Sequence, residues 1–196
     1  MEGSILVVVL ISVLLIAGFV WVTYNKLITL RMKVKEALAD IDVQLKKRYD
    51  LLPDLIETAR KATAVDEKIL TEVTELRSQA MEGSARGENL TKRAKVESEL
   101  TGMMRDIKVQ VEAYPDIKSH AELTNLMDKV TDIEEKISYS RRFYNASVLA
   151  YNTGLKTFPA VLVANSIGFK EEPFFASSDE EKKDVKVDFK ESQNNK

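Results

Sequence analysis

A chain of 196 residues, 44% apolar and 31% charged, can build one sizeable core, or one domain plus an anchor. No cysteine and a single histidine exclude a disulfide framework, a thiol nucleophile, Cys-ligated zinc and His-rich metal sites. A net charge of -2 lacks the basic excess of a nucleic-acid binder, and seven Gly with four Pro are too few for a many-stranded sandwich, so long helices are expected.

The first element is Ile5 to Val22, ILVVVLISVLLIAGFVWV, with no charge in it. At ~1.5 Å rise per residue it reaches ~27 Å, close to the ~30 Å hydrocarbon core of a bilayer. Trp21 and Tyr24 stand at its exit, where amphipathic rings anchor among headgroups. The start Met1-Glu2-Gly3-Ser4 is not basic, and Ala17-Gly18-Phe19 offers neither a small-residue cleavage site nor a lipoprotein cysteine. Residues 1–23 are therefore expected to remain as a transmembrane anchor in the lipid bilayer. Lys26, Arg31, Lys33 and Lys35 follow it, against Glu2 on the short side. Basic flanks stay cytoplasmic, which predicts a single-pass protein with its N-terminus out and its main domain in the cytosol.

Leu27, Leu30, Val34, Ala37, Ile41, Leu45 and Leu52 form a helical stripe continuous with the anchor. Pro53 breaks or kinks this helix; Asp50 is a candidate cap for a new one, and a single bent helix is the alternative. The second helix is expected from about Leu51 to Met81, with an internal kink at Thr63 to Asp66. Gly83 to Gly87 is a loop. The third helix runs from about Leu90 to Ala113, with Val96, Leu100, Met103, Ile107 and Val111 inward. The fourth keeps an almost unbroken seam through Leu123, Leu126, Val130, Ile133, Ile137, Tyr144, Val148, Tyr151, Leu155 and Phe158, and Phe158-Pro159 stops it. Short loops predict an all-α, up-down-up-down antiparallel four-helix bundle over residues 24–175. The same seam could pair with a second copy as a coiled coil. Residues 176–196 are polar and read as a disordered tail.

If the fourth helix returns to the membrane, Tyr24-Asn25, Tyr144-Asn145 and Tyr151-Asn152 acquire meaning, because Asn inside a helix calls for a partner across helices. A polar layer joining Asn25 and Asn152 near the membrane is expected. Val161-Leu162-Val163, Phe169, Phe174 and Phe175 are expected near the bilayer, where they cover that end of the bundle; resting in the interface is the alternative. Arg48 with Asp42, Asp50 and Asp54 reads as a charge group that sets helix register at Pro53.

Catalytic patterns are absent from the sequence. Asp40 and Asp42 point to different faces, and Asp128, Asp132, Glu134 and Glu135 read as a solvated face. His120 lacks an HExxH context, and Gly83 to Gly87 lacks the Lys-Ser/Thr of a phosphate loop. No catalytic residue, metal or cofactor is assigned. The rival reading, a carboxylate hydrolase, needs two converging acids in a pocket.

Tyr24-Asn25-x-Leu27-x-x-Leu30-Arg31-x-x-Val34 and the run Ile41-Asp42-Val43-Gln44-Leu45-Lys46-Lys47-Arg48-x-Asp50-Leu51-x-Pro53-x-Leu55 resemble the LemA family. So do Tyr114-Pro115, Arg141-Arg142-x-Tyr144-Asn145, Tyr151-Asn152, Phe158-Pro159, Ala164 and Gly168-Phe169. The resemblance implies a bacterial membrane protein with a soluble helical bundle and no established catalytic residues. It also implies a scaffold or membrane-organising role, or work beside a membrane metalloprotease. A non-catalytic interaction module with unknown protein partners is the expected function, with a homo-oligomeric scaffold as the alternative.

Overall fold

The computed structural model describes residues 2–62, 65–113 and 120–175. It contains α1 (Glu2–Ala62), α2 (Glu67–Ala85), α3 (Leu90–Ala113), α4 (His120–Lys156) and α5 (Ala160–Ile167), with no strand among the described residues. The expected tail at 176–196, and Tyr114-Pro115, lie outside the described residues.

α1 is one helix with two environments. From Ile5 to Val22 its large apolar side chains are exposed, and among the described residues this helix alone is long and apolar enough to cross a membrane. Burial begins at Thr23 and Leu27. From there Val34, Ala37, Ile41, Leu45, Leu52, Leu55 and Ala59 face a single core shared with α2, α3 and α4. Three- and four-residue spacing keeps these positions on one face of the helix.

Pro53 does not end α1, and Asp50 caps nothing: it lies exposed and takes the Lys46 ammonium at 2.8 Å. Proline at 53 has no N–H to give the Tyr49 carbonyl one turn back, and an orphaned buried carbonyl would normally break the helix. Here Arg77 of α2 supplies the missing donor, its Nε standing 2.8 Å from the Tyr49 oxygen. The expected second helix is thus divided differently. Its first turns belong to α1, and the break falls between Ala62 and Glu67. Asp66 caps α2 by accepting from the Lys68 N–H at 2.9 Å, and its own N–H donates to Gln110 of α3 at 3.0 Å.

α3 and α4 fall close to their expected bounds. At Gly154 α4 packs close against α1: a Cβ there would lie 3.2 Å from Leu30 Cδ1 and 3.5 Å from Leu27 Cδ2. Phe158 departs from the seam expected for α4, because it sits beyond the last helical residue and is exposed. α5 adds a short helix whose Val163 and Ala164 are buried. Gly168 ends it at φ +83°, a conformation that favours glycine, and its N–H caps the Ala164 carbonyl at 3.0 Å. The chain then returns along α4 as a strap ending at the buried Phe175.

The Arg77 bridge is testable by a double-mutant cycle. Arg77→Leu should destabilise the protein by about 1–2 kcal/mol in urea unfolding. In a Pro53→Ala background, where residue 53 regains its N–H, most of that loss should vanish. Equal losses in both backgrounds would show that Arg77 acts elsewhere.

Candidate functional site

Two polar constructions stand out, one on the surface of α4 and one inside the core. On α4, Tyr144-Asn145 and Tyr151-Asn152 repeat after seven residues and so share a face. Asn152 Nδ2 donates to the Glu172 carbonyl at 2.9 Å, and its Oδ1 accepts from the Glu172 N–H at 3.0 Å. Asn145 treats Phe175 in the same way, at 3.1 Å and 2.8 Å. The planar amide offers a donor and an acceptor side by side, as a neighbouring strand would. Each preceding tyrosine donates two residues upstream: Tyr151 to the Lys170 carbonyl at 3.1 Å, Tyr144 to the Pro173 carbonyl at 2.8 Å.

A length match explains the repeat. One heptad of helix advances ~10.5 Å, and three residues of extended chain advance ~10 Å. Successive Tyr-Asn pairs can therefore hold strap segments three residues apart. Phe175 locks the far end, with its ring 6.4 Å from Tyr144 at 84° and the Arg141 guanidinium 4.9 Å above it. At the near end, Phe169 packs 6.0 Å from Tyr24, and Arg31 of α1 reaches Glu172 at 3.2 Å. Burial pushes the Tyr144 phenol up to about 12, with Glu172 adding to the effect. Tyr151 is also raised, chiefly by burial; Arg31 opposes the rise.

The core construction centres on Arg48, which has no exposed surface. Its guanidinium pairs with Glu97 of α3 and with Glu134 of α4 at 2.6 Å. It also donates to the Thr101 hydroxyl at 3.1 Å, which donates in turn to Glu134 Oε2 at 2.9 Å. Tyr49 donates to the second oxygen of Glu97. Burial pushes the Tyr49 phenol up, against the pull of the Arg48 charge, and keeps it a neutral donor. Nearby, Arg93 pairs with Asp42 and reaches Ser84 at 3.3 Å. Both oxygens of Glu97 are occupied and only 1% of the residue is exposed, so its carboxylate locks α1 and α3 together.

The partners of Arg48 differ from those expected. Asp42 and Asp54 stand six residues from it and Asp50 two, which places them on other helix faces. Asp42 goes to Arg93 and Asp50 to Lys46, while Asp54 lines a shallow groove with Lys61 and Glu122. Glu134, read as part of a solvated face, turns inward to Arg48. Asn25 lies exposed on α1, where its carbonyl accepts from the Thr29 hydroxyl at 2.9 Å. The amide of Asn152 is committed to Glu172, so the expected Asn25–Asn152 layer gives way to a side-chain-to-strap clamp. Glu97 was missed, although it carried a signal: with Arg93, Leu100, Met104 and Ile107 it falls on the inward stripe of α3. A carboxylate there demands a buried cation. Among the described residues no group of three or more acids and histidines could hold a metal ion.

Comparison with known proteins adds a family and relatives. A family model described as the LemA family matches residues 37–189. Magnetosome protein MamQ of Magnetospirillum gryphiswaldense is 22% identical over 200 residues, covering 89% of this chain and 73% of that protein. Magnetosome protein MamQ 2 of Paramagnetospirillum magneticum is 22% identical over 199 residues, with the same coverage.

Two outcomes follow from these geometries. Because the folded pKa of Tyr144 lies above its ordinary value near 10, the contribution of its hydroxyl is complete below pH ~10 and is lost as pH rises through about 12. The stability difference between the unaltered chain and Tyr144→Phe should therefore be constant up to pH ~10 and shrink above it; a difference that grows with alkali would contradict the clamp. In the core, Arg48→Met should cost about 3–5 kcal/mol by stranding Glu97, and Arg48→Met with Glu97→Leu should recover much of it. Additive losses in urea unfolding would show that the two are not a unit.

Proposed function

Because the chain belongs to the LemA family, we propose that it is a non-catalytic, membrane-anchored helical protein that holds an interaction surface beside a bilayer. One observation carries this reading. A single helix is exposed and apolar from Ile5 to Val22, with mean hydropathy 3.1, and runs unbroken into the buried core from Leu27 onward. An apolar helix rigidly joined to a packed domain suits a tether better than a detachable leader.

The domain carried on this tether is an antiparallel four-helix bundle spanning residues 24–175. Contacts at 27 with 154 and at 48 with 134 support opposite directions for α1 and α4. Contacts at 42 with 93 and at 48 with 97 support α3 running with α1. Contacts at 49 with 77 and at 60 with 67 support the return of α2. The basic residues after the apolar stretch favour a cytosolic domain and an outer N-terminus in a single-pass bacterial membrane protein. Against a carboxylate hydrolase stands the engagement of Glu97 and Glu134, the acids that do converge, by Arg48.

The interaction surface is assigned to the outer face of α4, where Tyr139 and Phe143 are exposed four residues apart. These residues also favour a second reading, a homo-oligomeric membrane-organising scaffold, and the magnetosome proteins among the relatives are in keeping with either.

One experiment separates the readings: photo-crosslinking from Tyr139 in cells, followed by an alkaline carbonate wash of the membranes. The chain should stay in the pellet and carry an adduct to a different protein. An adduct at twice the chain's mass would favour the homo-oligomer. Release of the chain by the wash would overturn the tether.

A further inference from the structure

The corner between α4 and α5 carries large apolar side chains that the core does not use. Phe158 is 77% exposed, Leu162 63% and Ile167 47%. Their neighbours Val163 and Ala164 are buried, so α5 shows apolar residues both toward the protein and away from it. A face that water would solvate normally carries polar groups instead.

Position tells what covers them. α4 passes Arg48 at Glu134 and reaches Leu27 and Leu30 at Gly154, so it travels toward the apolar segment of α1. Phe158 lies four residues further on, just past the end of α4 at Lys156. Just beyond α5, the Phe169 ring is 6.0 Å from Tyr24. The corner therefore stands at the height on α1 where Trp21 and Tyr24 mark the start of the apolar stretch. Trp21 itself is 73% exposed, at the same end of the domain as the corner.

We infer that Phe158, Leu162 and Ile167 are a second lipid contact, seated in the boundary between headgroups and acyl chains beside the spanning part of α1. The inference rests on Ile5 to Val22 crossing the bilayer, and goes beyond it. Two points of contact fix the tilt and rotation of the domain over the membrane, where one helix alone would leave it free to swivel. Insertion of a helix corner by its apolar side chains needs no basic face, because the anchor already supplies the local concentration.

The chain has one tryptophan, Trp21, which makes depth measurable by fluorescence. Three forms of the full chain would be placed in phosphatidylcholine nanodiscs with lipids carrying a quencher near the headgroup. They are the unaltered chain, Trp21→Phe with Phe158→Trp, and Trp21→Phe with Tyr139→Trp. Tyr139 is 67% exposed but lies far along α4 from the corner. Both substituted side chains are exposed, so the fold should be kept, and circular dichroism checks it. Quenching at 158 should approach that at 21 and exceed that at 139 at least threefold. Adding Leu162→Asp should lower the quenching at 158. Equal quenching at 158 and 139, with Trp21 quenched, would overturn the second contact and leave the span standing. An unquenched Trp21 would overturn the span itself.

Discussion

A guanidinium removed from water must find its partners inside the protein, and Arg48 finds them on two other helices. Glu97 comes from α3 and Glu134 from α4, with Thr101 bridging between them. Apolar side chains are interchangeable in register, since sliding one helix by a turn exchanges one leucine for another. A buried charge is not, because any slide leaves it unpaired at a cost of several kcal/mol. The cluster therefore fixes the relative heights of α1, α3 and α4. Those heights decide that Gly154 meets Leu27 and Leu30, and that the far end of α4 arrives beside the apolar segment.

Backbone satisfaction is the second constraint. α1 is able to continue past Pro53 because a side chain from α2 replaces the missing backbone donor. The strap after Gly168 lies against α4 without joining a sheet, because asparagine amides stand in for the strand it lacks. Both are the same solution: a polar backbone group that secondary structure leaves unpaired is met by a side chain from another element. The strap in turn binds α4 to α1 through Glu172 and Arg31 and covers the core with Phe175.

These constraints hold the helices of the domain in one arrangement. Its interior acids are engaged, its register is set, and its closing strap is held at both ends. The outer face of α4 and the corner at Phe158 keep apolar groups in view at different heights. One lies partway along α4, and the other follows its last residue, Lys156.

Much of this was legible in the residues alone. The charge-free run from Ile5 to Val22 announces itself by length, and three- and four-residue spacing marked Ile41, Leu100 and Val148 as inward, because burial of one helix face leaves a periodic trace. The Tyr-Asn pairs on α4 were visible as residues in need of partners, although their partners were not. Spacing is local and says which face a residue occupies, not what lies opposite. Thus spacing singles out Arg48 but not Glu97 or Glu134 as its acids, and Pro53 reads as a break or kink because its remedy lies in Arg77, on another helix. Composition and periodicity determined the long apolar run, the helices and their buried faces, since these depend on neighbours along the chain. The ion cluster, the strap clamp and the continuity of α1 were decided only by tertiary structure, since each depends on a donor meeting an acceptor from a distant segment.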